Sequence, residues 1–366
     1  MKFDHNHYVP CLRWKQGEYQ AVLDLSTTAR NFITPLIEVP EMGFDFEKGV
    51  DSKTIDKHLE PFAKRVHGKW GTHPCFVDVL HIPSEKVMAD GGQPVSFVLD
   101  KLRAAGCSAV PVTGLFRNSG CQRAVKRAVS RDGRGLCLRV TIEEAAKPSL
   151  KVDTDALLAK AGVNIKDCDL IFDLGAPNFE PVEGFAKLVE TLIRKLPYLA
   201  RWRTFTLMGT SFPSTMAEIK RGPATIPRYE WVLYKRLVGS LRKAKVRLPT
   251  FGDYGISHPD LLLLDMRKLK PSATIRYTTD DDWFIVKGPN VRENGFGQYR
   301  DHCRMVIASG SYMGPSFSEG DRHISECAAG SASTGNLTTW RKVGTNHHLE
   351  KVVRDVSNLF GSSAAS

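Results

Sequence analysis

The chain has 366 residues, 42% of them hydrophobic and 25% charged, a globular balance that excludes a fibrous or fully disordered protein. No apolar run reaches the roughly 18 to 20 residues that cross a bilayer, so no membrane partner is expected. Lys and Arg number 51 against 40 Asp and Glu, a formal charge of +11, which favours an anionic ligand or nucleic acid as partner.

Residues 1–7 carry no apolar signal segment, which predicts a cytoplasmic chain. The eight cysteines are scattered without a CxxC pair, and Cys75 and Cys137 sit in apolar runs where a thiol behaves as a small hydrophobe. Disulfides and a cysteine zinc site are therefore not expected.

In chain order, short apolar, β-branched runs recur at 35–39, 75–79, 109–113, 136–140, 170–174, 205–209, 248–253 and 273–277. Helical patterns lie between them, at 53–65, 95–105, 122–130, 182–195 and 228–243. Runs of this kind suit strands buried on both faces of a parallel sheet. Eight repeats predict an α/β fold closed as a (β/α)8, TIM-like barrel, with an open doubly wound sheet as the alternative. After the eighth run, residues 278–282 read as a turn and 283–288 as a strand returning antiparallel. The stretch 309–345 is polar and rich in Gly and Ser, and a last helix is expected from about His347 to Leu359. The expected division is a barrel over 1–308 and a C-terminal capping extension over 309–366, packed on the barrel and ending in a frayed tail from Gly361.

Active sites of such barrels lie at the carboxyl ends of the strands. That rule selects Glu38, Asp78, Thr113, Arg139, Asp173, Ser211, Asp253 and Arg276. Asp78, Asp173 and Asp253 are the candidate catalytic carboxylates. Glu38, Asp78 and Asp173 are the candidate ligands of a divalent metal such as Mg, with His81 a further nitrogen ligand. Arg139 and Arg276 would clamp phosphate, and Ser211 lies in a hydroxyl-rich, glycine-led link suited to an anion. The competing reading pairs the same carboxylates with the arginines as ion pairs that only fix the barrel. Near the end, Asn346 is expected to cap the last helix, placing His347 and His348 in its first turn as neutral bases or ligands, or simply as exposed histidines.

Several blocks carry a resemblance. Tyr8 to Ala21 (YVPCLRWKQGEYQA), Pro35-Leu36-Ile37-Glu38, Asp173-Leu174-Gly175, Phe251-Gly252-Asp253-Tyr254, Arg276-Tyr277-Thr278 and Gly335 to Arg341 (GNLTTWR) resemble the bacterial and phage "beta protein" family over nearly the whole chain. Val22 departs from the leucine expected after Ala21. The resemblance implies a role in anti-phage defence or phage–host conflict, sometimes beside a protein partner encoded nearby, and it implies no activity residue by residue. Apart from the resemblance, Tyr277, beside Arg276, and the pair His347 and His348 join the anion-binding candidates. Two functions follow: a metal-dependent phosphodiester or nucleotide hydrolase at the barrel mouth, or a non-catalytic barrel that binds a partner protein or nucleic acid.

Overall fold

In the computed structural model, which describes residues 2–260 and 270–361, the chain divides into two compact units. The first comprises Met1–Trp14, Thr34–Gly209 and Leu233–Asp253, and the second Lys15–Ile33, Thr210–Val232 and Tyr254–Ser366. The boundary expected at residue 309 falls inside the second unit, and the tail from 362 onward lies outside the described residues. Among the described residues no helix is long and apolar enough to cross a membrane.

Strands are numbered in chain order. Eight of them form the first unit: β1 (Tyr8–Leu12), β2 (Leu36–Glu38), β5 (Cys75–Asp78), β6 (Ala109–Thr113), β7 (Cys137–Thr141), β8 (Asp169–Asp173), β9 (Phe205–Met208) and β11 (Thr250–Asp253). They are parallel and close on themselves in the order β1-β11-β9-β8-β7-β6-β5-β2. The α/β barrel is therefore the fold. Strands β3 (Phe44–Asp45) and β4 (Val50–Asp51) make a two-stranded hairpin in the link after β2. Burial explains the apolar runs, since seven barrel strands are buried at every residue and β7 is exposed only at Thr141. The crossover helices bury one stripe each. In Ser119–Asp132 that stripe is Ala124, Val125, Ala128 and Val129; Asn118 caps its start and Gly133, at φ 64°, ends it in the left-handed region.

One expected barrel strand is misplaced. The run 273–277 lies in the second unit as part of β12 (Ser272–Thr278), and the strand that completes the barrel is β1. The burial alternation of β12, with Ala273, Ile275 and Tyr277 covered, marks a strand with one covered face, whereas β1 is buried throughout. The expected return is present: β13 (Asp282–Asn290) pairs antiparallel with β12, and β10 (Gly222–Pro227) pairs antiparallel with β13. This sheet packs with the helices Tyr299–Ala308, Glu319–Ala329 and Leu337–Phe360 around a core that includes Ile275, Tyr277, Tyr299, Cys303, Cys327 and Trp340.

The last helix starts ten residues before its expected position. Asn336 accepts hydrogen bonds from Thr338 and Thr339 in a capping box, and the helix runs Leu337–Phe360. Asn346 is thus an interior residue; its carboxamide accepts from Gly320 N and donates to the carbonyls of Ala21 and Asp24. His347 and His348 are mid-helix and fully buried. The run Gly344-Thr345-Asn346 reads locally as a helix break, and packing overrides it. A Cβ on Gly344 would stand 2.8 Å from Ile256 Cδ1 and 2.9 Å from the Arg276 carbonyl, so the helix lies against β12 only because that residue is glycine.

Candidate functional site

Strand ends bring Glu38 (β2), Asp78 (β5) and Asp173 (β8) to one place, around Arg139 of β7. Arg139 donates Nη1 to Glu38 Oε1 at 2.7 Å and to Asp78 Oδ2 at 3.2 Å. Its Nε and Nη2 meet Asp173 Oδ2 at 2.8 and 2.7 Å. The remaining oxygens are also engaged. Glu38 Oε2 lies 2.7 Å from His81 Nε2, Asp78 takes both oxygens to Arg117 Nη2 at 3.0 Å, and Asp173 Oδ1 accepts from Gly175 N at 2.9 Å. The three carboxylates and Arg139 are all buried.

Charge sets the protonation of Glu38. Burial would raise the Glu38 carboxyl, but the Arg139 charge and the His81 hydrogen bond override it and hold the group below the usual carboxylate range. Cys11 is buried nearby on β1. Burial, with the Glu38 charge behind it, pushes its thiol well above the ordinary value, so it is no nucleophile.

The donor set does not fit the expected metal. Glu38, Asp78 and Asp173 do converge, but they converge on a guanidinium, which stands where a cation would bind. Each carboxylate oxygen already meets a nitrogen donor. Among the described residues no group of three or more His, Cys, Asp and Glu is arranged to hold a metal ion. His81 is a hydrogen-bond partner of Glu38.

The other candidates divide. Asp253 stays in the barrel, where it accepts from Tyr8 O–H at 2.5 Å. Ser211, Arg276, Tyr277, His347 and His348 all belong to the second unit. Ser211 Oγ donates to Glu230 Oε2 at 2.8 Å and accepts from Tyr229 N at 2.9 Å, so its side chain caps the start of the helix Tyr229–Lys243. Tyr277 and His347 join a buried cluster on Asp321. Tyr277 O–H donates to Oδ1 at 2.7 Å, His347 Nδ1 lies 2.8 Å from Oδ2, and the two rings stack at 3.8 Å. His348 Nδ1 lies 2.8 Å from Thr278 Oγ1. Ser211, Tyr277, His347 and His348 are thus engaged in hydrogen bonds and ring contacts inside the second unit.

Sequence reasoning missed Arg117, Phe116 and Lys147. All three lie in the links after β6 and β7, Lys147 beyond the short helix Ile142–Ala145, and that position is the signal that would have found them. Phe116 is 61% exposed, and Lys147 Nζ lies 4.4 Å above its ring. Arg117 spends only Nη2 on Asp78. One turn further, the helix Ser119–Asp132 exposes Arg123 and Lys126. Cations beside an exposed aromatic ring are side-chain types suited to a planar, negatively charged ligand.

The sequence model of a family described as "Beta protein" matches residues 8–354. No curated protein matches the chain. Among solved structures 11 chains match. One is triosephosphate isomerase from Bartonella henselae, at 11% identity and a TM-score of 0.35, covering 68% of this chain and 91% of that one.

Proposed function

The chain belongs to the Beta protein family, and from that premise we propose that it is a non-catalytic barrel that binds single-stranded nucleic acid at the rim of its parallel strands. The observation that carries the reading is Phe116, an exposed ring flanked by Lys147 and followed by Arg117. Bases stack on such a ring with little sequence preference, while cations along the path neutralise the backbone. Arg123 and Lys126 extend the positive track along the helix Ser119–Asp132. The +11 formal charge supports the same class of partner.

The hydrolase reading has less support. It needs Glu38, Asp78 and Asp173 to release Arg139, Arg117 and His81 before they can take a metal, and nothing in the cluster supplies that energy. The ionic ring acts instead as a fixed floor beneath the rim. A role in conflict between bacterium and phage, implied by the family resemblance, joins this proposal as its biological setting.

The test is fluorescence anisotropy with a labelled single-stranded oligonucleotide. Phe116→Ala is expected to weaken binding by about 5- to 150-fold, the range for loss of one stacked base. Binding by the wild type is expected to be unchanged by chelator. An unchanged affinity in Phe116→Ala would remove the reading, and metal-dependent cleavage of the oligonucleotide would return the hydrolase.

A further inference from the structure

The second unit contains a cavity of about 810 Å³ whose wall, among the described residues, carries five cationic side chains, Arg221, Lys270, Arg276, Lys287 and Arg341, against one carboxylate, Glu293. Their positions differ in what neutralises them. Lys270 lies 3.8 Å from Glu293, an exposed pair. Lys287 Nζ donates to the carbonyls of Met216 and Ile219 at 2.6 Å and of Ala217 at 3.3 Å, which holds residues 216–219 in the wall but leaves the positive charge uncancelled. Arg341 Nη1 donates to the Ile256 carbonyl at 2.7 Å and to Ser257 Oγ at 3.1 Å.

Arg276 stands apart. It projects from β12, its Nε is sequestered from solvent without a hydrogen-bond partner, and among the described residues no carboxylate pairs with it. Its guanidinium carbon lies 5.4 Å from the ring of Phe212, which offers a π face and no counter-charge. Burial first, and the like charge of Arg341 second, push its guanidinium well below the ordinary value. An arginine side chain does not give up its proton in a protein, so the cost of that environment is borne by the fold or removed by an anion.

We infer that this cavity is a phosphate site, taking a small phosphorylated ligand whose phosphate rests on Arg276. Two parallel N–H donors of a guanidinium match a phosphate edge, and the neighbouring cations draw the anion in. Hydroxyls of Ser272 and Thr274 line the same wall and suit the polar remainder of a ligand. The volume admits more than inorganic phosphate alone. This site is separate from the nucleic-acid rim and does not depend on that reading.

The experiment is thermal shift and calorimetric titration of the full chain with pyrophosphate, ADP and adenosine. Two further arms use one oligonucleotide with a 5′-phosphate or a 5′-hydroxyl. Pyrophosphate and ADP are expected to raise the melting temperature and adenosine to leave it unchanged. Arg276→Met is expected to melt no lower than the wild type without ligand, since it deletes an uncompensated charge, and to bind pyrophosphate at least tenfold more weakly. Arg276→Lys should restore part of that affinity. The proposal is overturned if Arg276→Met lowers the unliganded melting temperature, as a structural arginine would, or keeps the full pyrophosphate response. It is equally overturned if only the 5′-phosphorylated oligonucleotide, and neither pyrophosphate nor ADP, gives a shift.

Discussion

Arg139 holds Asp173 with two nitrogens, Nε at 2.8 Å and Nη2 at 2.7 Å, from one barrel strand to the next. The same guanidinium reaches Glu38 and Asp78, so one side chain ties four of the eight strands together at their carboxyl ends. Breaking such a buried pair by removing one partner leaves the others charged and uncompensated. Arg139→Met should therefore cost about 3–5 kcal/mol in urea unfolding. Adding Asp173→Leu to that variant should recover part of the loss, because it removes one of the abandoned charges. A single variant as stable as wild type would mean that the ring is not the barrel's ionic fastening.

The same ring sets an acid limit. A carboxyl whose folded value lies below its unfolded value of about 4.3 contributes stability that is complete above that value and is lost as pH falls through the lower one. Glu38 is such a group. Melting temperature measured from pH 7 to pH 2 should fall more steeply below about pH 4 in wild type than in Glu38→Gln, which has no proton to take up there. Parallel acid limbs in the two proteins would count against the Arg139 and His81 contacts as the source.

Gly344 is the point where the long C-terminal helix approaches β12. With Ile256 Cδ1 at 2.8 Å and a backbone oxygen at 2.9 Å from the position of a Cβ, Gly344→Ala forces a backbone shift, not merely a rotamer change. Overpacking of this kind costs about 1–3 kcal/mol, despite the better helix propensity of alanine. Denaturant unfolding of the variant measures it, and a stabilised Gly344→Ala would show that the close approach relaxes freely.

Salt dependence separates stacking from charge at the rim. Lys147→Gln should weaken oligonucleotide binding and lower the slope of log affinity against log salt by about 0.7 if its ammonium neutralises one phosphate of a single strand. Phe116→Ala should weaken binding without changing that slope, because a ring releases no counterion. Identical slopes in wild type and Lys147→Gln would place the backbone elsewhere.

Most of the barrel was legible because burial on both faces leaves a plain mark: seven of the eight apolar runs read from the sequence fall on barrel strands. The eighth was misread because Ala273-Thr274-Ile275-Arg276-Tyr277 also satisfies a strand pattern, and nothing local distinguishes a one-face strand of a separate sheet from a closing barrel strand. Tyr8-Val9-Pro10-Cys11-Leu12 is buried throughout but is absent from the recurring runs read in the sequence, and its partners β11 and β2 are fixed only by closure of the barrel. At the mouth, the strand-end rule found Glu38, Asp78, Arg139 and Asp173. What it could not give was that the guanidinium sits at the centre, because that depends on which strands face each other across the barrel. The His347–Asp321 contact was hidden for a similar reason, as Asn346 offers a plausible cap whose carboxamide is in fact spent on Ala21, Asp24 and Gly320.

Closure of the barrel by β1 has a kinetic consequence. Tyr8 and Asp253 bond across 245 residues of chain, so β1 has β2 on one side but an open row of backbone donors and acceptors on the other until β11 has been made. The entropy of joining ends that far apart must be met when the ring closes, so β1–β11 pairing is a long-range contact that local pairings cannot replace. Until then the first strand is an unprotected edge, and slow synthesis or a chaperone that shields it would favour the native ring over pairing with another chain.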